Sequence, residues 1–288
     1  MKKILKIILC AVLLVGAIAC GSSDKSAKEE KVEITIGKNP YPHEWIPVNI
    51  IKQLAEEKGY KINLVEGDIG FMFLGLSQGD IDIYPDVWIP VLHKTYMEKY
   101  KDKIELVGTL TKEIPIGVGV PSYTKFDSLA DIKDNADAIG NRIVGVEPSA
   151  GMMITAEKTL KAYGLKDSIE LLDGSTPAML AELDKSIKLK EPIVFLAWRP
   201  HTMFTKYDIR FLDDPKGIWA FDNNEIGVNI DFKEKAPDMY KFLQHFTLSL
   251  DEIEEMLMKM EDENVSVEDL ASEWITEHRD EIDSYFSK

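Results

Sequence analysis

The strand–helix alternation that begins at Val32 restricts this chain more than any other feature. Val32-Glu33-Ile34-Thr35-Ile36-Gly37 alternates apolar and polar residues, the period-two pattern of a half-buried strand. A loop over 39–45 leads into a helix whose first turn accommodates Pro47. Val48, Ile51, Leu54 and Ala55 make one face of that helix, and Gly59 stops it. Residues 61–65 read as a second strand, 71–78 as a short helix stopped by Gly79, and 81–84 as a third strand. A β-α-β-α-β order implies parallel strands joined by crossover helices.

The pattern then restarts. Residues 114–120 are very apolar, 142–147 read as a strand, and 151–163 as a helix closed by Gly164. Ser175-Thr176-Pro177 opens a helix to about residue 188, and 192–197 is a strand rich in Ile, Val, Phe and Leu. Residues 225–230 look like a returning strand, and the end is helical: one helix over 251–260, then another opened by the capping box Ser266-Val267-Glu268-Asp269. Two α/β halves joined near Ile114 and again near Phe221 predict two lobes around a cleft. The expected division is 32–116 with 222–288 in lobe 1 and 117–221 in lobe 2. In open α/β sheets, ligands sit off the carboxyl ends of strands.

Charge narrows the partners. The 288 residues carry 34 Lys+Arg against 50 Asp+Glu, a net charge of -16. Phosphate backbones need a basic face, so nucleic acid is excluded as a partner. An anionic lipid surface gains no charge attraction either. The two cysteines, Cys10 and Cys20, both lie in the first twenty residues. The rest of the chain therefore has no disulfide framework and no cysteine metal site.

The N-terminus reads as an export leader. Lys2, Lys3 and Lys6 precede an apolar or small run of 14 residues from Ile7 to Cys20. That is too short to span a bilayer and fits a signal-peptide core. Ala17-Ile18-Ala19-Cys20, followed by Gly21-Ser22-Ser23-Asp24, looks like a bacterial lipobox, although Ala17 stands where Leu is commoner. The expectation is cleavage after residue 19, lipidation of Cys20 and a flexible polar tether over 20–31. An ordinary signal peptide with a chance cysteine is the alternative. The expected location is the cell surface or periplasm, anchored to the cell membrane.

The candidate site residues follow strand ends and are aromatic. Tyr41 and Trp45 follow the first strand; Tyr84, Asp86 and Trp88 follow the third; Trp198 follows the strand over 192–197. Aromatic faces attract cations and suit a quaternary ammonium, which has no hydrogen to donate. For any one tryptophan, packing in a core or rim is the commoner explanation; three aromatics past three strand ends make it less so and favour a cage. Trp274, at helical spacing with Leu270 and His278, belongs to a core, and Trp219 fits either role. Glu147-Pro148-Ser149-Ala150-Gly151-Met152 joins a strand to a helix, and the amides of Gly151 and Met152 offer a generic anion site at a helix start.

Enzyme readings are poor. His43, His93, His201, His245 and His278 make no H-x-x-x-H pair, and no G-x-S-x-G elbow or Walker lysine occurs. Asp80 and Asp82 read as the solvent face of a strand, and 251–263 as a solvated helix face. No cofactor, metal or catalytic residue is expected.

Three segments together carry a resemblance. Gly79-Asp80-Ile81-Asp82 leading to Asp86-Val87-Trp88-Ile89-Pro90 and His93 is one. Gly145-Val146-Glu147-Pro148-Ser149-Ala150-Gly151 is the second. Trp198-Arg199-Pro200-His201-Thr202-Met203-Phe204, with Tyr207 and Leu212-Asp213-Asp214-Pro215, is the third. In this order, from about Val32 onward, the chain resembles the glycine betaine- and proline betaine-binding proteins of osmoprotectant ABC importers. That resemblance implies a type II periplasmic-binding fold that closes on its ligand between two lobes, acting with ABC permease subunits, without enzymatic turnover and as a monomer. By the same resemblance, Trp88 and Trp198 match cage tryptophans, and Tyr41 falls where relatives often carry a third. His93 matches a histidine on the ligand carboxylate, and Gly151 and Met152 match the amides that hold it. Trp45, Asp86 and His201 are expected behind these. Tyr41 in place of Trp, and Thr202 in place of a common Trp, leave the ligand open among glycine betaine, proline betaine, carnitine and choline. A sensory receptor for such a ligand is the remaining alternative.

Overall fold

The computed structural model describes residues 31–287. The predicted leader, Cys20 and the tether as far as residue 30 lie outside the described residues.

In chain order the elements are β1 (Glu33–Lys38), α1 (Pro42–Glu57), β2 (Lys61–Glu66), α2 (Ile69–Gln78), β3 (Ile83–Ile89), α3 (Lys94–Tyr100) and β4 (Ile104–Ile114). There follow β5 (Ile116–Pro121), β6 (Arg142–Val144), α4 (Gly151–Ala162), β7 (Glu170–Leu172), α5 (Thr176–Leu189), β8 (Phe195–Trp198), α6 (Met203–Lys206) and β9 (Ile209–Phe211). The chain ends with β10 (Asp222–Asn229), α7 (Phe232–Lys235), α8 (Pro237–Leu243), α9 (Leu250–Asp262), α10 (Val267–Glu277) and α11 (Arg279–Ser287).

Two five-stranded mixed sheets result, ordered β2-β1-β3-β10-β4 and β7-β6-β8-β5-β9. The expected α/β, two-lobed architecture is what forms. β1 pairs parallel with β2 and β3, as crossover helices α1 and α2 require. The chain leaves the first sheet at Ile114 and enters the second at Ile116, with Pro115 between. It returns as β10, which comes from the opposite direction and so runs antiparallel between β3 and β4.

One face of the first sheet packs under α1 and α8 to α11, through Ile34, Ile36, Ile51, Phe242, Phe246 and Trp274. The core on its other side, with Met72, Phe73 and Tyr84, is continuous with that of the second sheet through Val118, Phe195 and Leu196. Trp274 is core, as its spacing predicts. Among the described residues, no helix is long and apolar enough to cross a membrane.

Local differences from the expectation have physical causes. α1 starts at Pro42, not after residue 45, because proline at the first helical position loses no hydrogen bond; Pro47 then lies inside the helix. α2 is capped by Asp68, which accepts from Phe71 N at 2.8 Å, and ends at Gly79 with φ 81°. β4 has no clean alternation, and its ladder with β10 is broken by register shifts. Asp82 does not face solvent. It is buried, its Oδ2 accepts from Thr35 N at 2.7 Å, and Lys235 Nζ approaches both oxygens at 2.7 Å.

Candidate functional site

The strand ends and one helix start place the site. β3 ends at Trp88-Ile89 and β8 ends at Trp198; both are followed by a cis proline, Pro90 and Pro200. Tyr41 sits at the N-cap of α1, and the first residues of α4 are Gly151 and Met152. A cavity of about 390 Å³, partly open to solvent, lies where these meet. Its wall includes Tyr41, Trp88, His93, Gly151, Met152 and Trp198, together with Asp86. His43, Ile69, Leu92, Val146 and Ala150 complete it. Trp45 and His201 do not line this cavity. They line a neighbouring groove of about 1020 Å³ that shares Tyr41 and His43. Trp219 lines neither.

One end of the cavity is made of rings. Tyr41 meets Trp198 edge-on at 6.1 Å between centroids. Tyr41 also stacks with His43 at 5.9 Å, and His43 meets Trp88 edge-on at 6.1 Å. His43 is thus a fourth ring between Tyr41 and Trp88. His43 has no role in the sequence analysis beyond the absence of a metal pair, and a helix starting at Pro42 is the signal that turns it toward the strand ends. His201 stands behind Trp198, edge-on at 5.0 Å, and its Nδ1 accepts from Met203 N at 3.0 Å. Burial, with His43 and Lys206 nearby, pushes His201 down to about 3.

The rings are held by polar groups beneath them. Asp86 Oδ1 accepts from Trp88 Nε1 at 2.8 Å and from Asn224 Nδ2 at 2.6 Å, both buried bonds. Tyr84 Oη donates to Asn39 Oδ1 at 2.6 Å, and Asn39 N donates to Glu44 Oε2 at 2.8 Å. Tyr41 Oη donates to Glu147 Oε2 at 2.9 Å. Burial, then the charge of Glu147, keeps that phenol protonated. Glu147 in turn accepts from Thr176 N at 2.9 Å and Thr176 Oγ1 at 3.0 Å. Tyr41 and Glu147 belong to different sheets' lobes, so this carboxylate fastens one lobe to the other.

The other end is made of donors. Trp88 N donates to His93 Nδ1 at 3.0 Å. Burial lowers His93 to about 4, so its ring is neutral near pH 7 and its one ring proton is on Nε2. At the start of α4, the N–H groups of Gly151 and Met152 donate to no acceptor among the described residues. Gly151 also packs closely against the turn after β3. A Cβ on it would lie 2.2 Å from Leu92 O, so only glycine fits. Tyr96 Oη adds a second link between lobes by donating to Ser149 O at 2.9 Å.

His43, Glu44 and Asp86 are a described trio whose potential metal-ligand atoms lie within 4.8 Å of one another. Asp86 already accepts from Trp88 and Asn224, and a proton on Glu44 satisfies the two carboxylates without a cation. The trio is therefore better matched to a shared proton than to a metal.

Residues 32–277 match the family model described as the substrate-binding domain of the ABC-type glycine betaine transport system. The chain belongs to this family.

Relatives agree with that placement. The chain is 36% identical over 152 residues to a glycine betaine/carnitine transport binding protein, GbuC, of Listeria monocytogenes. That match spans 52% of this chain and only half of the Listeria protein's length. Among solved structures, the family fold superposes on lactococcal OpuAC, closed and complexed with glycine betaine, with a TM-score of 0.81 at 31% identity. It covers 89% of this chain and 100% of that one. A glycine betaine/L-proline-binding protein, ProX, of Borrelia burgdorferi gives a TM-score of 0.82 at 30% identity, covering 88% and 98%. A choline-binding protein in complex with choline has the same fold, with a TM-score of 0.81 at 19% identity.

Proposed function

We propose that the chain captures a quaternary-ammonium osmoprotectant outside the cytoplasm, glycine betaine or its relative proline betaine, and delivers it to the permease of an ABC importer. The trimethylammonium sits among Tyr41, His43, Trp88 and Trp198. The carboxylate sits on the amides of Gly151 and Met152 and on His93 Nε2–H. One observation carries this reading: a single cavity has aromatic rings at one end and, at the other, a neutral histidine donor beside two unpartnered amides. A zwitterion with a permanent cation and an anion fits both ends.

Each desolvated ring face contributes about 1–2 kcal/mol toward a cation. With the carboxylate grip and association costs included, affinity is roughly micromolar. Ligand contacts drawn from both lobes favour the closed arrangement, which a permease can read. Cys20 anchors the chain to the membrane as a lipoprotein, and the protein acts as a monomer without catalysis.

Calorimetric titration with glycine betaine, then choline, carnitine and proline, tests the reading. Tight betaine binding with weak choline binding is expected, because choline has no carboxylate for the donor end. Tight choline binding with weak betaine binding discards the roles of Gly151, Met152 and His93. Silence for all four discards the cage.

A further inference from the structure

Two buried aspartates, four residues apart in the sequence, differ in what balances them. Asp82 is 4% exposed and holds Lys235 at 2.7 Å. Asp86 is 3% exposed and has no lysine or arginine within ion-pair distance among the described residues. His43 Nε2 stands 3.7 Å away, beyond hydrogen-bond reach, and has no partner of its own. Asp86 receives only neutral donors, Trp88 Nε1 and Asn224 Nδ2. The groups facing it are Glu44 and His43 from α1, His93 from the turn before α3, and Trp88 and Asn224 from the sheet. None is a permanent cation.

Glu44 explains how such an arrangement persists. It is 1% exposed, and its Oε1 has no donor. Burial, then the adjacent Asp86, holds its carboxyl well above the ordinary range, so it carries a proton that it can donate to Asp86. Burial alone would raise Asp86 too. The neighbouring His43 and the protonated Glu44 outweigh that and hold Asp86 below the ordinary range. The pair thus carries one negative charge, on the member that lines the cavity. A buried charge without a partner is costly, and a ligand that supplies the missing charge recovers that cost.

We propose that Asp86 is the specificity-determining anion of the cavity: it completes its ion pair with the ligand's permanent positive charge and so discriminates against uncharged isosteres. This rests on the proposed function and extends it to a residue that stands behind the rings. The alternative role is mere positioning, in which Asp86 only orients the Trp88 indole.

The test compares glycine betaine with its carbon isostere, 3,3-dimethylbutanoate, which keeps the shape and the carboxylate and lacks the positive charge. Wild type is expected to prefer betaine by about a hundredfold or more, a size that Coulomb attraction at an effective dielectric of about 20 readily supplies. In Asp86→Asn, whose amide oxygen still accepts from Trp88 and Asn224, that preference falls by at least about tenfold. A positioning role would weaken both ligands equally and leave the preference unchanged, which overturns the inference. Retained isostere binding shows that the variant is folded. Should Asp86→Asn not fold, Asp86→Ser takes its place in the same comparison, and an unchanged preference overturns the inference. Wild type that binds no betaine overturns the proposed function, and this inference with it; betaine binding with an unchanged preference overturns this inference only.

Discussion

The two ends of the cavity are built by different means. The ring end uses side chains: Tyr41, His43, Trp88 and Trp198, braced from below by Asp86 and from the side by Glu147. The donor end uses backbone: two unpartnered amides at the start of α4, plus one neutral histidine. The difference teaches that the ends should fail differently. A ring can be replaced by a smaller ring with partial loss. A backbone amide is lost only when its peptide moves, and Gly151 sits where Leu92 O permits no added carbon.

The largest expected effect is at the ring end. Trp198→Ala removes a wall and should weaken betaine binding about a hundredfold, near 3 kcal/mol, with the unfolding midpoint little changed. Titration calorimetry and thermal unfolding separate the two quantities, and unchanged affinity takes Trp198 out of the cage.

Gly151→Ala should come next, with a loss of about tenfold to a hundredfold. Alanine is a better helix former than glycine, so α4 itself should not suffer. The loss should appear as weaker betaine binding together with a more open solution envelope in small-angle scattering. Wild-type affinity with a wild-type envelope would mean that the Leu92 contact yields easily.

His93→Phe sharpens the comparison between ends. It removes the Nε2–H donor and also the Nδ1 acceptor of Trp88 N, so betaine affinity should fall at least about tenfold and further than any residual choline affinity. An equal fall for both ligands would place His93 with the rings instead.

The smallest effect concerns protons. His93 is held near 4 and His201 near 3, both below the ordinary 6.5. Each stays neutral while an unfolded histidine would be charged, so the stability they confer is present above pH 6.5 and lost as pH falls toward 4. Betaine affinity should therefore stay level from about pH 8 to 5.5. A loss of affinity centred near pH 6.5 would show that one of these rings titrates as if exposed.

The same contrast explains what could be read in the sequence. Trp88 and Trp198 were legible because apolar strands announce themselves, although both tryptophans lie within the ends of β3 and β8 and not after them. Gly151 and Met152 were legible as a helix start after a strand. The tight contact of Gly151 with Leu92 was not, because it joins segments about sixty residues apart. His43 was missed because α1 begins at Pro42, and its role depends on the ring geometry between Tyr41 and Trp88. Asp82 was misjudged because its partner, Lys235, lies on the returning segment after β10. Glu147 reads as part of a loop, yet its bond to Tyr41 links lobes that only the fold brings together, and its bonds to Thr176 hold it in place.

The central claim is that one cavity holds a zwitterion by rings at one end and backbone at the other. A crystal structure of the protein with glycine betaine tests it most directly. The account predicts the trimethylammonium among Tyr41, His43, Trp88 and Trp198, and a carboxylate oxygen about 2.7–3.2 Å from Gly151 N, Met152 N and His93 Nε2. A ligand bound in the reverse orientation, or in the neighbouring groove beside Trp45 and His201, would contradict it.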